Sequence, residues 1–331
     1  LDMIAELDVF PHNLAVGSPL LAEGILFTVT GNGVDEGHIN IPAIAAPSFL
    51  AIDPKTGKVL WENGLPGEKI LHGQWSNPAY GVIKGKPQVV FAGGDGWIYS
   101  FEPKTGKLIW KFDCNPKDAK WAIGGAGTRN YIVGTPVIWG DKVYIGVGQD
   151  PEHGEGVGHL WAIDATGEGD MTGKQAWHRG GDEFHRTMST VAVADGILYA
   201  ADLSGHLHAL DANTGELFWM HDVFAAIWGS PFVADGKVYL GDEDGDILVM
   251  RAGKKKEVLH EVNMGNSVYT TPVAKDGVLY INTRSKLFAI AEGAKPAAKP
   301  ADKPAAAAPG MEAKPAENPP AKPPASPPLL D

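Results

Sequence analysis

A nine-residue stretch occurs twice in this chain, as "DPKTGKVLW" at residues 53–61 and as "EPKTGKLIW" at residues 102–110. Its core is a Thr-Gly pair followed, after three residues, by Trp, and this core occurs four times. An apolar segment that ends in an acidic residue lies ahead of each copy. The repeat predicts a strand, a tight turn and a second strand that ends in Trp. The paired residues are Gly57 and Trp61, Gly106 and Trp110, Gly173 and Trp177, and Gly215 and Trp219.

A second element recurs six times, upstream of the first. It starts near Ser or Thr, often before Pro, continues as an apolar strand, turns at Asp or Gly, and returns as a strand that carries an aromatic residue. Its copies are residues 17–29, 76–92, 134–146, 188–200, 229–241 and 270–281. The two elements together predict a four-stranded antiparallel sheet per repeat. The two shortest repeats, from Thr190 to Pro231 and from Pro231 to Pro272, are both 41 residues long, which is typical of a β-propeller.

Both signature residues have a structural explanation. A four-stranded sheet cannot bury both of its faces alone, so such sheets stack around an axis as blades. A Trp at the same place in successive blades can wedge between neighbouring sheets and bury about 150–250 Å². Gly supplies the positive φ that a tight reversal requires. We therefore predict an all-β propeller of four-stranded antiparallel blades, six of which are recognisable.

The segments "AIDPKTGKVLW" and "ALDANTGELFW" resemble the blade motif of the pyrroloquinoline-quinone-repeat, or quinoprotein-like, propellers. This repeat is also found in outer-membrane assembly lipoproteins and in secreted bacterial propellers. The resemblance covers residues 17–292 and implies the fold. Because the superfamily contains both enzymes and scaffolds, it implies no single activity, and no catalytic residue is transferred. It does imply a location in the periplasm or outside the cell.

The number of blades is left open by the two ends of the repeat region. The sixth copy has only its first three strands before the composition changes, and "LDMIAELDV" at residues 1–9 alternates as a strand would. Since the superfamily commonly closes with eight blades, we expect a seven- or eight-bladed ring whose first blades precede this sequence. A six-bladed ring sealed by residues 1–9 is the alternative.

Residues 293–331 form a separate region by composition. They hold 11 of the 25 prolines and no aromatic residue, so they cannot bury enough apolar surface to fold. We predict a propeller domain over residues 1–292 and a disordered Pro/Ala/Lys-rich tail over residues 293–331. The tail is interpreted as inert, with a spacer, a tether or a partner ligand as alternatives.

Charge and cysteine content exclude several functions. The net charge of −12 argues against nucleic-acid binding, and no apolar run approaches the roughly 20 residues of a membrane-spanning helix. The single cysteine, Cys114, excludes an internal disulfide, a Cys-rich zinc site and a Cys-x-x-Cys-His haem motif.

The long insertions all belong to one face of the predicted propeller. Residues 30–48 and 148–159 join second to third strands, and residues 63–76, 112–134 and 178–188 join one blade to the next. Long loops clustered on one rim favour a binding site. Polar and aromatic residues that enter the innermost strands would line the channel mouth there. They are His12, Asn13, His72, Gln74, Trp75, Arg129, Asn130, Tyr131, His185, Arg186, Trp228, Asn266 and Tyr269.

Two interpretations of this mouth are open. Two arginines and several histidines favour an anionic or polyhydroxylated ligand, whereas mutual hydrogen bonding would make the same residues a structural plug. Two acid-rich stretches, at residues 34–38 and 150–159, mix carboxylates with histidine, which suits a divalent cation. They lack a recognised ligand spacing and are interpreted as solvated loops. A third stretch, at residues 242–246, is interpreted as a hairpin turn, since the full EF-hand pattern is absent. No metal site is assigned.

Two functional hypotheses follow. The first is an exported, non-catalytic platform that binds a protein or a glycan partner on the long-loop face. The second is an oxidoreductase that uses pyrroloquinoline quinone or Ca²⁺ on the same face. The quinoproteins that the chain resembles typically hold the quinone beneath a disulfide of adjacent cysteines, which a single cysteine cannot form. The sequence is compatible with both hypotheses, an enzyme and a platform.

Overall fold

Strands account for nearly all of the regular structure in the computed structural model, which describes residues 1–14, 17–149 and 157–294. Successive strands pair antiparallel in chain order, as the repeat predicts. The first three sheets are β1 (Leu20–Ala22), β2 (Ile25–Val29), β3 (Phe49–Ile52) and β4 (Val59–Asn63); β5 (Ala79–Ile83), β6 (Lys86–Ala92), β7 (Trp97–Phe101) and β8 (Leu108–Asp113); and β9 (Val137–Trp139), β10 (Lys142–Gly148), β11 (Val157–Asp164) and β13 (Gln175–His185).

The last three sheets continue the series, and the sixth has three strands, as predicted. They are β14 (Ala192–Ala194), β15 (Ile197–Ala201), β16 (His206–Asp211) and β17 (Leu217–Asp222); β18 (Phe232–Ala234), β19 (Lys237–Gly241), β20 (Asp246–Arg251) and β21 (Val258–Asn263); and β22 (Val273–Lys275), β23 (Val278–Asn282) and β24 (Leu287–Ala291). The described residues of Leu1–Glu292 form one unit. The predicted tail lies outside the described residues from position 295 onward, and the domain boundary and the total blade number stay predictions.

The hydrophobic core is divided into layers between successive sheets. Within the described part of the chain, five clusters of buried side chains correspond to the five contacts between neighbouring sheets. Between the first and second sheets, for example, the rings of Phe49 and Phe91 stack with centroids 4.7 Å apart. Because each sheet shares its apolar faces with its neighbours, the propeller fold is the arrangement that buries them.

The repeated Trp docks onto the repeated turn of the next sheet. The indole N–H of Trp61 donates to Pro103 O at 2.7 Å, and that of Trp177 donates to Ala212 O at 2.9 Å. A Cβ added to Gly106 would lie 2.6 Å from the Trp61 ring, and one added to Gly215 would lie 2.7 Å from the Trp177 ring. The turn glycine is therefore needed both for its positive φ and for the space that the preceding Trp fills.

The second sheet departs from this pattern. The indole N–H of Trp110 donates to Gln88 Oε1 within its own sheet, at 2.8 Å. The contact with the third sheet is made instead by a short strand, β12 (Gly169–Asp170), which pairs in parallel with β8. Met171 N also donates to Lys111 O at 2.8 Å. Backbone hydrogen bonds from the long turn of the third sheet thus take the place of the contact that a docked Trp makes between other sheets.

The Ser/Thr residues of the second repeat form a belt of hydrogen bonds that links all six sheets. Each member donates to a side-chain oxygen of its counterpart in the next described repeat over 2.6–3.0 Å. The donor is the backbone N–H, except in Asn77, where it is the side-chain amide. The members are Ser18, Asn77, Thr135, Thr190, Ser230 and Thr271. The sequence pattern had marked only the start of a strand at these positions.

Residues 1–9 do not form the strand that their alternation predicts. Met3–Leu7 is a short α-helix, α1. Asp2 Oδ1 accepts from Ile4 N and Ala5 N at 3.1 Å, and Glu6 Oε1 accepts from Asp2 N at 2.8 Å. This reciprocal capping satisfies the amides of the first turn, so the segment is helical although its apolar residues alternate. Two 3₁₀ turns, Gly67–Lys69 and Ile123–Gly125, are the other helical pieces of the described chain.

Part of one predicted crossover is also a strand. Residues 178–185 belong to β13. This strand pairs with β11 as far as His185, which lies opposite Val157. The segment was predicted to be a loop, but the strand continues through both of its glycines with a register shift. The crossover to the fourth sheet is consequently short.

Candidate functional site

Loops from successive sheets interlock at one face, which we call the long-loop face. The indole N–H of Trp121 donates to Lys69 O at 2.9 Å, which joins two crossovers, and Val34 N donates to His72 O over the same distance. The described part of this face comprises residues 8–14, 30–48, 64–78, 93–96, 114–136, 186–191, 202–205, 223–231, 242–245 and 264–272. The predicted loop at residues 148–159 lies largely outside the described residues.

Three histidines from three of these segments meet at the long-loop face. His72 Nε2 lies 3.0 Å from His38 Nε2, and the ring centroid of His12 lies 4.3 Å from that of His72 and 5.0 Å from that of His38. His12 and His72 are buried, and His38 is half-buried. One ligand atom from each of the three lies within 4.8 Å of the other two, so the group could hold a metal ion.

Aromatic side chains flank this three-histidine cluster. Trp75 lies edge-on to His72 with centroids 5.2 Å apart, and Tyr131 contacts both rings at 5.4–5.6 Å. The hydroxyl of Tyr131 is 3.3 Å from His72 Nδ1. Four of the residues predicted for the mouth, His12, His72, Trp75 and Tyr131, therefore do lie together.

Arg129 belongs to a second group. Its Nη2 donates to Asp113 Oδ1 at 2.6 Å, and its Nε donates to Asp95 O at 2.7 Å. The carboxylate of Asp95 accepts from Tyr99 Oη at 2.6 Å. Burial raises the pKa of Asp95 to about 6, against the opposing effect of that hydrogen bond, and burial also raises the pKa of Tyr99. This group ties a crossover to a hairpin turn.

A third group gathers three histidines around the buried carboxylate of Asp202. His208 Nε2 lies 3.0 Å from Oδ2, His206 Nδ1 lies 3.3 Å from Oδ1, and His185 Nδ1 lies 3.6 Å from Oδ2. Burial acts to raise the pKa of Asp202, but the hydrogen bond from His208 and the neighbouring charges lower it overall. Oδ1 also accepts from Ser204 N and His206 N, so Asp202 closes the hairpin turn.

A fourth group joins two predicted aromatics through a glutamate. Glu243 accepts from Trp228 Nε1 at 3.2 Å and from Tyr269 Oη at 3.1 Å, and the two rings lie edge-on with centroids 5.9 Å apart. The "DEDGD" stretch that contains Glu243 forms the turn between β19 and β20, as predicted.

The remaining predicted residues are dispersed among these groups. Gln74 donates to Asn32 O, Asn130 N donates to Asn115 Oδ1, and Asn266 reaches Ser285 Oγ at 3.5 Å. Asn13 is exposed with φ of 56°, and Arg186 accepts a backbone bond from Leu203 N. The predicted mouth is thus several separate groups. Ligand atoms converge in the three-histidine cluster and also in His185, Asp202 and His206. Of these two, the three-histidine cluster is the one that Trp75 and Tyr131 flank.

Large apolar side chains are exposed on the loops around these groups. Phe224 is 88% exposed, between β17 and β18, and its φ of 61° is a left-handed conformation. Ile39, Ile44, Leu14 and Trp121 are exposed on neighbouring loops. These residues belong to loops of different sheets, and they make the long-loop face apolar at several separate places.

The opposite face carries a cavity of about 480 Å³ lined by both lysines and glutamates. Its walls come from the short turns that hold Glu23, Glu102, Lys104 and Glu168. Charges of both signs line it without the convergent imidazoles of the long-loop face. We therefore place the candidate site on the long-loop face.

Sequence reasoning missed several partners in these groups. His38 stands in the acid-rich stretch 34–38, where its own carboxylate neighbour Asp35 is engaged with Ile39 N and Asn40 Nδ2. Asp202, His206 and His208 lie on the hairpin of β15 and β16, and none of them was among the predicted mouth residues. The alternation of His206 and His208 on one face of β16 was a signal that could have indicated this group.

Within the residues that the structure describes, no helix has the length and apolar character needed to cross a membrane.

Comparisons with known proteins agree with this architecture. The sequence profile of a family described as "Outer membrane protein assembly factor BamB" matches residues 11–169 and 156–295. The protein of that name from Yersinia pestis is 20% identical over 254 residues, which cover 76% of this chain and 57% of the relative. A quinone alcohol dehydrogenase subunit from Gluconobacter oxydans (strain 621H) is 31% identical over 164 residues, covering 49% of this chain and 18% of the relative. The chain thus spans little more than half of the first relative and a small part of the second.

Two solved structures show the same fold. The crystal structure of BamB from Moraxella catarrhalis superposes with a TM-score of 0.60 and 15% identity, covering 81% of this chain and 70% of that one. The quinohemoprotein alcohol dehydrogenase from Comamonas testosteroni superposes with a TM-score of 0.58 and 14% identity, covering 80% of this chain and 51% of that one. At these identities the likeness concerns the propeller fold alone.

Proposed function

Because this chain belongs to the family described as outer membrane protein assembly factor BamB, we propose that it is an exported, non-catalytic platform whose long-loop face binds a protein partner. The partner that the family description suggests is an outer membrane protein during its assembly. A location in the periplasm or outside the cell is part of the proposal and rests on the same description. The fold itself is compatible with a platform and with an oxidoreductase, so the choice depends on the site.

Phe224 is the observation that carries the proposal. Its amide donates to Asp222 Oδ1 at 2.8 Å, and the preceding amide, of Val223, donates to Gly205 O. In the next sheet the same two bonds are made by Gly265 and Met264, and Gly265 has φ of 79°. A bulky residue in this backbone region costs about 1–2 kcal/mol relative to the right-handed one. A side chain that is 88% exposed recovers little of that cost by packing, which favours a role in binding.

Exposed apolar residues elsewhere on the long-loop face favour a protein over a glycan. The exposed loop residues Ile39, Ile44 and Trp121 are apolar and present little hydrogen-bonding capacity to a sugar. Aromatic residues are enriched at the centre of protein interfaces, where they act as anchors. We therefore propose Phe224 as an anchor for an apolar segment of the partner.

The alternative is an oxidoreductase that holds pyrroloquinoline quinone. The carboxylates of this quinone would require cationic partners at the mouth. Arg129 is turned into the protein, with its guanidinium bonded to Asp113 and to Asp95 O and its side chain 12% exposed. This arrangement does not fit a quinone carboxylate at that position.

The test measures binding of a fluorescently labelled β-barrel outer membrane protein, diluted from urea just before mixing. The wild-type chain should bind it saturably, and Phe224→Gly should weaken the affinity at least about tenfold, or ~1.4 kcal/mol. Glycine suits the local backbone, so the free energy of unfolding should change by no more than about 1 kcal/mol.

Leu217→Ala serves as the matched control, because Leu217 is also exposed but follows a turn of the opposite face. It should bind the probe with wild-type affinity. The proposal fails if the wild-type chain does not bind the probe or if Phe224→Gly binds as tightly as wild type. A rise in melting temperature on addition of pyrroloquinoline quinone and Ca²⁺ would favour the oxidoreductase instead.

A further inference from the structure

We propose that His12, His38 and His72 form a binding site for a divalent late first-row transition metal ion, zinc or copper. This goes beyond the platform function and does not depend on it. The proposal rests on the convergence of the three imidazoles, on the hydrogen bonds that orient them, and on the loop that delivers His38.

The separations of the nitrogens suit a single metal ion. Tetrahedral coordination with metal–nitrogen bonds of about 2.0–2.1 Å places neighbouring nitrogens about 3.4 Å apart. His72 Nε2 and His38 Nε2 are 3.0 Å apart, and the three ligand atoms lie within 4.8 Å of one another. Small side-chain adjustments therefore bring all three nitrogens to bonding distance of one ion.

Hydrogen bonds at the Nδ1 atoms of His12 and His72 orient the Nε2 atoms of these rings toward a common point. His12 Nδ1 lies 2.9 Å from Val34 O, and since a carbonyl only accepts, His12 must carry its proton on Nδ1. A neutral imidazole with that tautomer presents its lone pair on Nε2. His72 Nδ1 likewise faces the Tyr131 hydroxyl while its Nε2 faces His38. Ligating histidines are commonly held by such a bond from the other ring nitrogen.

The loop that carries His38 is built to present it. His38 has φ of 55°, an uncommon conformation for a residue with a side chain. Asp35 holds the loop by accepting from Ile39 N at 2.8 Å and from Asn40 Nδ2 at 2.9 Å. A Cβ added to Gly124 would lie 2.6 Å from His38 Cβ, so the crossover packs against the base of this side chain. A backbone cost at a position that aims a side chain at a cluster points to function.

The composition of the cluster selects the class of ion. Imidazole nitrogen is a preferred ligand of zinc and copper, whereas Ca²⁺ and Mg²⁺ require oxygen. Three protein ligands leave a fourth position for water or another ligand. His185, Asp202 and His206 also bring ligand atoms within 4.8 Å of one another. That group contains a carboxylate, which already accepts from His208 Nε2 and from two backbone amides.

A bound ion would join three segments of the chain that are far apart in sequence. His12 lies in the N-terminal segment, His38 between β2 and β3, and His72 in the crossover from the first to the second sheet. Binding to the folded state alone should therefore raise the melting temperature of the protein.

The experiment uses the tag-free full chain, stripped with a chelator and then supplied with ZnCl₂ or CuSO₄. Wild type should retain one equivalent of metal after desalting, melt at higher temperature with metal, and give a Cu²⁺ electron paramagnetic resonance spectrum with nitrogen hyperfine splitting. Loss of a hydrogen-bond partner of a ligand typically weakens metal affinity by about 10- to 100-fold. His38→Gln removes a ligand itself and should weaken the affinity by more than that. Tyr131→Phe tests that smaller effect.

His206→Gln is the matched control, since it removes a histidine from the Asp202 group and should leave metal binding unchanged. His38 is half-buried on a loop, so the metal-free His38→Gln variant should melt as the metal-free wild type does. The proposal is overturned if wild type retains no zinc or copper, if His38→Gln binds as tightly as wild type, or if binding is lost in His206→Gln instead.

Discussion

Individual residues of the long-loop face have backbone conformations that glycine adopts more easily. His38 and Phe224 both have positive φ, and Gly265 stands at the position of Phe224 one sheet later. If only the loop geometry mattered, glycine would serve at all three positions at lower cost. His38 and Phe224 therefore hold their side chains at a backbone cost, which supports the site proposed for each of them.

His159 should make the stability of the protein depend on pH. Burial lowers the pKa of this histidine to about 4, with a further contribution from His178, whose Nε2 is 3.0 Å away. Between pH 6.5 and 4 the unfolded chain takes up a proton at this position and the folded chain does not, so the free energy of unfolding falls as the pH falls. His159→Gln should reduce the difference between pH 8 and pH 5, measured by urea unfolding, by on the order of 1 kcal/mol.

Comparing the same variant at two pH values cancels any packing defect that does not depend on pH. His260→Gln, at an exposed position of β21, is the control and should leave the pH dependence as in wild type. An undiminished difference between pH 8 and pH 5 in His159→Gln would show that this imidazole is not held neutral by the fold.

At the scale of elements, the contact between a Trp and the next turn is the recurring joint of the fold. Gly57 and Gly106 stand at the same place in the repeat, with φ of 72° and 68°. A Cβ at Gly57 would meet nothing within 4 Å, whereas one at Gly106 would lie 2.6 Å from the Trp61 ring. The two positions therefore separate the backbone requirement from the packing requirement.

Alanine substitutions at these glycines should differ in cost. Gly57→Ala should lower the free energy of unfolding by about 1–2 kcal/mol through its backbone alone. Gly106→Ala should lower it by a further 1–3 kcal/mol or so, because the added methyl group overpacks the Trp61 ring. In a Trp61→Ala background the two substitutions should cost the same. Urea unfolding of the four variants tests this, and an equal cost in the wild-type background would contradict the docking role of glycine.

Elements with a local signal were predictable, and those that depend on a distant partner were not. The Thr-Gly turns and alternating strands predicted the sheets, and the early end of the sixth repeat predicted its three strands. The capping of α1 by Asp2 and Glu6 overrode the alternation of residues 1–9. Trp110 follows the motif but bonds Gln88, which only the fold brings near.

The candidate site was predictable residue by residue but not in its groupings. His12 and His72 were assigned to the mouth because of their place before innermost strands. His38 joins them from a loop whose conformation is set by Asp35, and Asp202 organises its histidines from the middle of a hairpin. Such groupings depend on contacts between loops, for which a single sequence carries no periodic signal.

At the scale of the whole molecule, the six sheets of the described chain are joined in series. The Ser/Thr belt and the apolar layers connect each sheet to the next one in the chain, from Ser18 to Thr271. In such an arrangement stability is approximately a sum of the sheets and the interfaces between neighbours. A sheet that is covered on both faces should consequently unfold locally less often than a sheet that is covered on one face only.

Amide hydrogen exchange should follow this order. All five residues of β15 are buried, whereas Ile281 is the one buried residue of β22, β23 and β24 in the described chain. The sixth sheet should therefore exchange by local opening, and β15 only by global unfolding, which mass spectrometry of proteolytic fragments distinguishes. Equal protection of the two regions would contradict the expectation and would mean that the sixth sheet is covered in solution. Repeating the measurement at several protein concentrations would then identify a second copy of the chain as the cover, because only that protection rises with concentration.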